Sequence, residues 1–166
     1  MPINSKQKGN DFELKVAKRL SEWSGEKFHR TPASGALHWE NDKRVVSDIV
    51  PPQSLSGWPF SIECKKVETS WEFNTLIEGT SQTIKEHWEQ CISDATREEM
   101  IPLLVFTKNY RDTYAILETK ICEKLEFTPE CYIKLHVNGQ DLLIFRFSEF
   151  LETYSLQSLL NKKLLE

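Results

Sequence analysis

Two short apolar segments, each carrying charge, constrain the fold of this chain more than any other feature. Residues 45–50 are rich in β-branched side chains but are interrupted by Asp48, and residues 62–65 read IECK. Side chains alternate along a strand, so Glu63 and Lys65 are predicted to project to one face while the residues between them face the other way. A carboxylate inside an apolar strand is costly unless it is paired, so we expect Asp48 to meet a partner.

Two acids and a lysine that converge at a sheet edge would form a divalent-metal site suited to phosphodiester chemistry. Magnesium prefers oxygen ligands and keeps several waters, so one or two carboxylates and a substrate phosphate suffice. We expect Asp48 and Glu63 to be direct ligands of Mg²⁺, with Mn²⁺ as a substitute. The backbone carbonyl of Cys64 is a candidate third ligand. Lys65 would orient the attacking water or neutralise charge that develops on the phosphate.

Other interpretations of these residues remain open at this point. A Glu-x-Lys triplet on a strand commonly forms a surface ion pair. Asp42 or Glu40 could replace Asp48 as a ligand, although neither lies in a strand-like run. The four cysteines and four histidines lack the close spacing of a zinc site, so we expect reduced, structural thiols.

Length, apolar content and charge indicate a globular intracellular protein. The 166 residues suit one domain spanning 1–166. No apolar run approaches the roughly 20 residues of a membrane span, and the first residues lack a secretion signal, so we expect a cytoplasmic location and no membrane partner. The net charge is −4, yet residues 1–66 hold 11 basic against 8 acidic residues. Because the local field governs where a polyanion docks, this half could still contact nucleic acid.

Hydrophobic spacing predicts an alternation of helices and strands. Helices are predicted from about residue 10 to 23, around 84–95, near 148–154 and in the C-terminal tail. Strands are predicted at 28–31, 45–50, 60–65, 103–106 and 114–117. The Asn138-Gly139 pair predicts a hairpin turn between two further strands.

Four short blocks in the first 65 residues carry a further signal. They are KGNDFE at 8–13, RTPASG at 30–35, SDI at 47–49 and IECK at 62–65. In this order they resemble the archaeal-type Holliday-junction resolvases of the PD-(D/E)xK nuclease superfamily. The resemblance implies an α/β, restriction-endonuclease-like three-layer core, with a central mixed β-sheet flanked by helices in αβββαβ order. A C-terminal hairpin and helices would follow this core.

The resemblance also implies an activity and a set of site residues. Such proteins are homodimeric, magnesium-dependent endonucleases that cut four-way DNA junctions. Besides Asp48, Glu63 and Lys65, it makes Glu13 a catalytic acid that completes or supports the metal site. Arg30 and Ser34 match positions that contact the scissile phosphate or the adjacent backbone, and Gly35 would let the loop approach DNA closely.

Further candidates come from position and residue type. Lys8 and Lys66 are candidates for DNA contact, and Lys85 and Gln90 for DNA contact or support of the site. Trp58 and Trp71, in loop-like segments, could stack on bases or on a dimer partner instead of serving the core.

The Phe106 region and the C-terminal leucines could form either a dimer surface or core. Two alternatives to a junction resolvase stay open: a restriction-like or nicking nuclease on other branched or duplex DNA, and a non-catalytic DNA-binding protein on the same scaffold.

Overall fold

The computed structural model describes residues 5–31, 47–67, 75, 78, 82–108 and 111–165. The helices are α1 (Ser5–Ser24), α2 (Gln82–Glu98), α3 (Thr119–Leu125), α4 (Phe147–Thr153) and α5 (Leu156–Leu160). The strands are β1 (His29–Arg30), β2 (Ile49–Val50), β3 (Phe60–Val67), β4 (Ile101–Lys108), β5 (Thr113–Glu118), β6 (Tyr132–Val137) and β7 (Gln140–Arg146). From α1 to β4 the described elements follow the predicted αβββαβ order.

Five of these strands form one mixed sheet in the order β3-β4-β5-β7-β6, while β1 and β2 form a separate antiparallel pair. The strands β3 and β4 are parallel, since α2 returns the chain across the sheet between them. The remaining neighbours are antiparallel. The apolar strand β4 is buried along most of its length, and β3 lies at the sheet edge beside it.

Helices cover both faces of this sheet. On one face, α1, α3, α4 and α5 enclose the larger apolar cluster, to which Phe12, Leu20 and Phe150 belong. On the other face, α2 covers a smaller cluster around Trp88, whose buried indole N–H donates to Gln140 Oε1 at 2.8 Å. Burying a large apolar side chain contributes about 2–3 kcal/mol, so both clusters hold their helices firmly on the sheet. The predicted three-layer, restriction-endonuclease-like fold is confirmed.

The predicted hairpin is also present. Asn138 and Gly139 join β6 to β7 with φ angles of 50° and 78°. Positive φ at both central residues is what a two-residue type I′ turn requires, and Asn followed by Gly adopts it most readily.

Helix boundaries differ from the prediction in two places. The first helix begins at Ser5 rather than near residue 10, because lysine and glutamine have high helix propensity and extend it before the apolar stripe starts. Helix α3 was not predicted. Its buried residues are Ile121, Cys122 and Leu125, and seven residues are too few for a helical period to stand out.

The structure places Trp58 in the core, so the base-stacking interpretation of this residue is wrong. Its indole is buried and donates to the carbonyl of Phe60 at 2.7 Å. Phe106 and Leu159 are buried in the two apolar clusters, which favours core over a dimer surface for them. Trp71 lies outside the described residues. No helix in the described ranges is long and apolar enough to cross a membrane.

Candidate active site

Asp48 lies against the outer edge of β3, just before β2. Its backbone N–H donates to the carbonyl of Ile62 at 3.1 Å, and its Oδ2 accepts from the backbone N–H of Cys64 at 2.8 Å. The prediction that Asp48 sits within a strand is wrong, since residues 47 and 48 form a bend and the strand begins at Ile49. The physical reason is that the carboxylate, rather than a second backbone, takes up the N–H of Cys64.

A buried carboxylate from α2 fixes the residue before Asp48. Glu98 accepts the backbone N–H of Ser47 through Oε1 at 3.1 Å. The Ser47 carbonyl in turn accepts from Thr31 Oγ1 at 2.5 Å, and the N–H of Thr31 donates to the carbonyl of Asp48 at 2.9 Å. The bend is therefore bonded to α2, β3 and the end of β1, which sets the direction of the Asp48 carboxylate. Sequence reasoning missed this role of Glu98.

Glu63 and Lys65 project together from β3, as predicted. The Lys65 ammonium lies 2.7 Å from Glu63 Oε1, and only 5% of the Glu63 side chain is exposed. Ile62 and Cys64 point to the opposite face, into the larger apolar cluster. The Lys65 ammonium also donates to Gln90 Oε1 of α2 at 3.1 Å. The ion pair is held between a strand and a helix, unlike a freely solvated surface pair.

Burial is the main cause that raises the pKa values of both acids. Burial, followed by the negative charge of Glu63, raises the pKa of Asp48 to about 7, although the Cys64 N–H partly offsets this. Burial also raises the pKa of Glu63, against the opposing effects of Lys65 and of a hydrogen bond with the Asp48 carboxyl. Burial alone would lower the pKa of Lys65, but its contacts with Glu63 and the charge of Asp48 leave it raised.

One face of α2 adds two groups that sequence reasoning missed. The charge of Asp94 contributes to the raised pKa of Glu63, and burial raises the pKa of Asp94 itself. Burial and the nearby Lys65 lower the pKa of His87. His87, Gln90 and Asp94 are spaced by three and four residues, so they share a helix face. That spacing is the signal from which the sequence could have identified them.

Glu13 of α1 forms an ion pair with Arg30 of β1. The Arg30 Nε lies 2.6 Å from Glu13 Oε2, and Arg30 also donates to Asn10 Oδ1 at 3.0 Å. Both charged side chains are more than four-fifths buried. The negative charge of Glu13 contributes to the raised pKa of Asp48, so the two acids are close enough to interact electrostatically.

The donors gathered here suit a hard divalent cation. The described residues contain no group of three or more histidine, cysteine, aspartate or glutamate side chains that could hold a metal ion. The buried carboxyl group of Glu63 and the partly buried one of Asp48 are nevertheless in hydrogen-bonding contact. Both have raised pKa values, which is the electrostatic condition that a bound cation relieves. Magnesium can be held by one or two carboxylates, so this oxygen donor set fits it.

The other predicted residues fall into two groups. Lys8, Lys66 and Lys85 are half-buried on α1, β3 and α2. Ser34 and Gly35, together with the alternative ligands Glu40 and Asp42, lie outside the described residues.

Comparison with known proteins identifies a nuclease family. Residues 4–161 match the model of a family described as "Phage putative PDDEXK endonuclease". The chain is also similar to Protein D14 of Escherichia phage T5, with 24% identity over 161 residues that cover 96% of this chain and 99% of that protein. No solved structure matches the chain significantly. Since the matching model covers nearly the whole chain, the protein belongs to the phage PDDEXK endonuclease family.

Proposed function

We propose that this protein is a divalent-metal-dependent DNA endonuclease that hydrolyses phosphodiester bonds. The observation that carries the proposal is the meeting of Asp48, Glu63 and Lys65 at the outer edge of β3. Acids with raised pKa values beside a paired lysine are typical of functional sites more than of ordinary surface ion pairs. Family membership points to the same class of enzyme.

The metal would be held by the carboxylates of Asp48 and Glu63 and by the backbone carbonyl of Cys64. A strand residue directs its N–H and its C=O to the same side, and the Cys64 N–H already faces Asp48. We propose Mg²⁺ as the natural ion and Mn²⁺ as a working substitute. When bound, such an ion supplies Lewis acidity to the phosphate and to the attacking water.

Lys65 would act on the reacting atoms directly. Its ammonium, placed by Glu63 and Gln90, can donate to the attacking water or to a phosphate oxygen as negative charge develops there. The raised pKa of Lys65 keeps it protonated at neutral pH, so it serves as a donor and not as a base.

A second cation would contact the DNA backbone. Arg30 can present its guanidinium to a phosphate, with Glu13 and Asn10 setting the plane of that group. We assign Glu13 first to this positioning and only second to the metal. Ser34, Gly35, Lys8 and Lys66 complete the proposed DNA contacts.

We propose four-way DNA junctions as the substrate and a homodimer as the active form. The ordered blocks in the first 65 residues support the substrate class. Two equivalent cuts on a two-fold junction call for two active sites related by a two-fold axis. We also propose a cytoplasmic location, where the protein would meet DNA in an infected cell.

To test this proposal, the protein is incubated with a synthetic four-way junction or with a linear duplex of the same sequence, in Mg²⁺ or Mn²⁺, and the cleavage rate is measured. The chain contains its own matched control, because Glu118 and Lys120 form another Glu-x-Lys ion pair at 2.7 Å. We expect Glu63→Gln and Lys65→Ala each to lower the cleavage rate at least a hundredfold, or about 3 kcal/mol. Glu118→Gln and Lys120→Ala should cut at the wild-type rate.

The possible outcomes separate the alternatives. Cleavage of both substrates at equal rates would contradict junction specificity and identify a general duplex nuclease. Binding without cleavage in either metal identifies a non-catalytic DNA-binding protein. Retained cleavage in both Glu63→Gln and Lys65→Ala contradicts the assigned site.

A further inference from the structure

A row of cross-strand neighbours leads away from Lys65 over the sheet. The register pairs Lys65 with Phe106, Phe106 with Tyr114, and Tyr114 with Arg146. Residues paired directly across neighbouring strands project to the same face, so these four side chains belong to the face that α2 partly covers. The row spans three strand spacings, or about 14 Å from Lys65 to Arg146.

The far end of this row forms one wall of an open groove of about 580 Å³. Its lining residues are Phe106, Lys108, Arg111, Tyr114, Cys131, Tyr132, Ile133, Ile144, Phe145 and Arg146. Three of these are cations, and no carboxylate is among the described residues that line the groove. Although the net charge of the chain is −4, this concave surface is positively charged and therefore attracts anions.

The floor and the rim of the groove are apolar and aromatic. Phe106 and Tyr114 pack with ring centroids 5.5 Å apart and planes tilted by 31°. On the edge strand β6, Ile133 pairs with Ile144 on the same face and is 42% exposed. The partly exposed Tyr114 and the exposed Ile133 lie beside three cations, a combination that favours a binding surface.

We propose that this groove binds an unpaired single strand of DNA that extends from the cleavage site. Grooves for single-stranded nucleic acid combine cations that follow the phosphates with aromatic rings on which bases stack. Duplex DNA would present its phosphates to Arg111 and Arg146 but would keep its bases stacked inside, leaving the Tyr114 ring without a base to stack on. The aromatic part of the lining therefore favours an unpaired strand.

This inference rests on the proposed function, since it names the form of DNA that the same site accepts. A strand whose phosphate lies at Lys65 needs to run only about 14 Å along the sheet face to reach Arg146. Branched DNA, gapped DNA and duplexes with a single-stranded arm offer such a strand, whereas a blunt duplex does not.

The first test measures binding of a fluorescent single-stranded oligonucleotide by anisotropy, with the metal chelated so that nothing is cut. The variant Arg111→Glu/Arg146→Glu reverses two exposed charges of the groove. The control Lys124→Glu/Lys163→Glu makes the same change in net charge at two exposed lysines outside the groove lining. We expect at least tenfold weaker binding in the groove variant and less than twofold in the control. The slope of log K against log salt should also fall by roughly 0.7 for each phosphate that the variant no longer neutralises.

The second test uses Cys131 as a reporter. It lines the groove and is exposed, whereas Cys64, Cys91 and Cys122 are buried. We expect the single-stranded oligonucleotide to slow maleimide modification of Cys131 at least fivefold, while a blunt duplex of equal length leaves the rate unchanged. Tyr114→Leu, which keeps bulk but removes the ring, should weaken this protection.

The outcomes distinguish this inference from the proposed function. If the groove variant binds single strands as the wild type does, or if duplex protects Cys131 as well as single strands do, the inference is overturned while the nuclease proposal stands. If the groove variant instead changes the oligomeric mass in sedimentation and leaves single-strand binding intact, the groove is an interface between copies. Failure of the wild type to cut any DNA overturns the proposed function, whereas oligonucleotide binding and Cys131 protection still decide the groove.

Discussion

The backbone N–H of Cys64 donates to the Asp48 carboxylate at 2.8 Å, so the edge of β3 itself positions this acid. The bond places a carboxylate where a neighbouring strand would otherwise lie, beside the Glu63 side chain. The arrangement is electrostatically costly, because both acids are largely removed from water and the negative charge of Glu63 disfavours ionisation of Asp48. Its cost has measurable consequences for stability and for metal binding.

Stability of the metal-free protein should decrease as pH rises from about 4 to about 7. The Asp48 pKa rises from 3.8 to about 7 on folding, so in this window the folded state keeps a proton that the unfolded chain has released. Stability from that proton is full below the unfolded pKa and is lost as pH rises through the folded one, by on the order of 2–4 kcal/mol. Urea unfolding with a chelator across this pH range measures the decrease.

The control for this prediction is Asp48→Asn. Asparagine keeps an oxygen that can accept from the Cys64 N–H but has no proton to lose. We expect the variant to lose more than half of the pH dependence. If its unfolding free energy falls with pH as steeply as that of the wild type, another group carries the effect.

Metal affinity should show the opposite dependence on pH. A cation competes with the proton for the Asp48 carboxylate, so Mn²⁺ should bind about tenfold more tightly for each pH unit gained below about 7. Above about pH 8 the affinity should level off. Calorimetric titration of the DNA-free protein measures this, and a constant affinity between pH 5.5 and 8 would show that Asp48 is not a ligand.

The fold and the central pair were predictable because their signals are local. Alternation along β3 placed Glu63 and Lys65 on one face, and turn chemistry placed the bend at Asn138. The contacts of Glu98 with Ser47 and of Gln90 with Lys65 are different in kind, since they join residues 51 and 25 positions apart. No period within one element encodes such contacts, because they depend on how α2 crosses the sheet.

The state of Asp48 illustrates the same limit. The apolar run around Asp48 predicted a strand, and it correctly indicated that Ile49 is buried. The run could not show that the Asp48 carboxylate, and not the backbone of a neighbouring strand, accepts the hydrogen bond from β3. Residues 47 and 48 therefore form a bend. Local propensity yields here to a tertiary hydrogen bond.

The ion pair between Glu13 and Arg30 should contribute measurably to stability. Both side chains are less than a fifth exposed and lie 2.6 Å apart. A double-mutant cycle with Glu13→Gln and Arg30→Ala should give a coupling of about 1–3 kcal/mol in urea unfolding. The exposed pair Lys18–Glu22, at 3.8 Å, provides the control and should give no more than about 0.5 kcal/mol. Equal couplings in the two cycles would mean that Arg30 is not held by Glu13.

Gln90 should act on cleavage through Lys65 alone. Its side-chain oxygen accepts from the Lys65 ammonium at 3.1 Å and, with Glu63, limits where that ammonium can lie. We expect Gln90→Ala to lower the single-turnover cleavage rate about five- to tenfold, corresponding to the roughly 1 kcal/mol of one hydrogen bond, with DNA affinity unchanged. Ser93→Ala, an exposed change on the same helix, is the control and should leave the rate unaltered.

The double variant Lys65→Ala/Gln90→Ala decides whether Gln90 is a positioning residue. If Gln90 works only by holding the ammonium, its removal has no further effect once Lys65 is gone, and the double variant cuts at the rate of Lys65→Ala. A further five- to tenfold decrease in the double variant would mean that Gln90 contacts the DNA or the water by itself. Rescue by Gln90→Glu, which restores an acceptor for the ammonium, would separate this positioning from a mere weakening of helix packing.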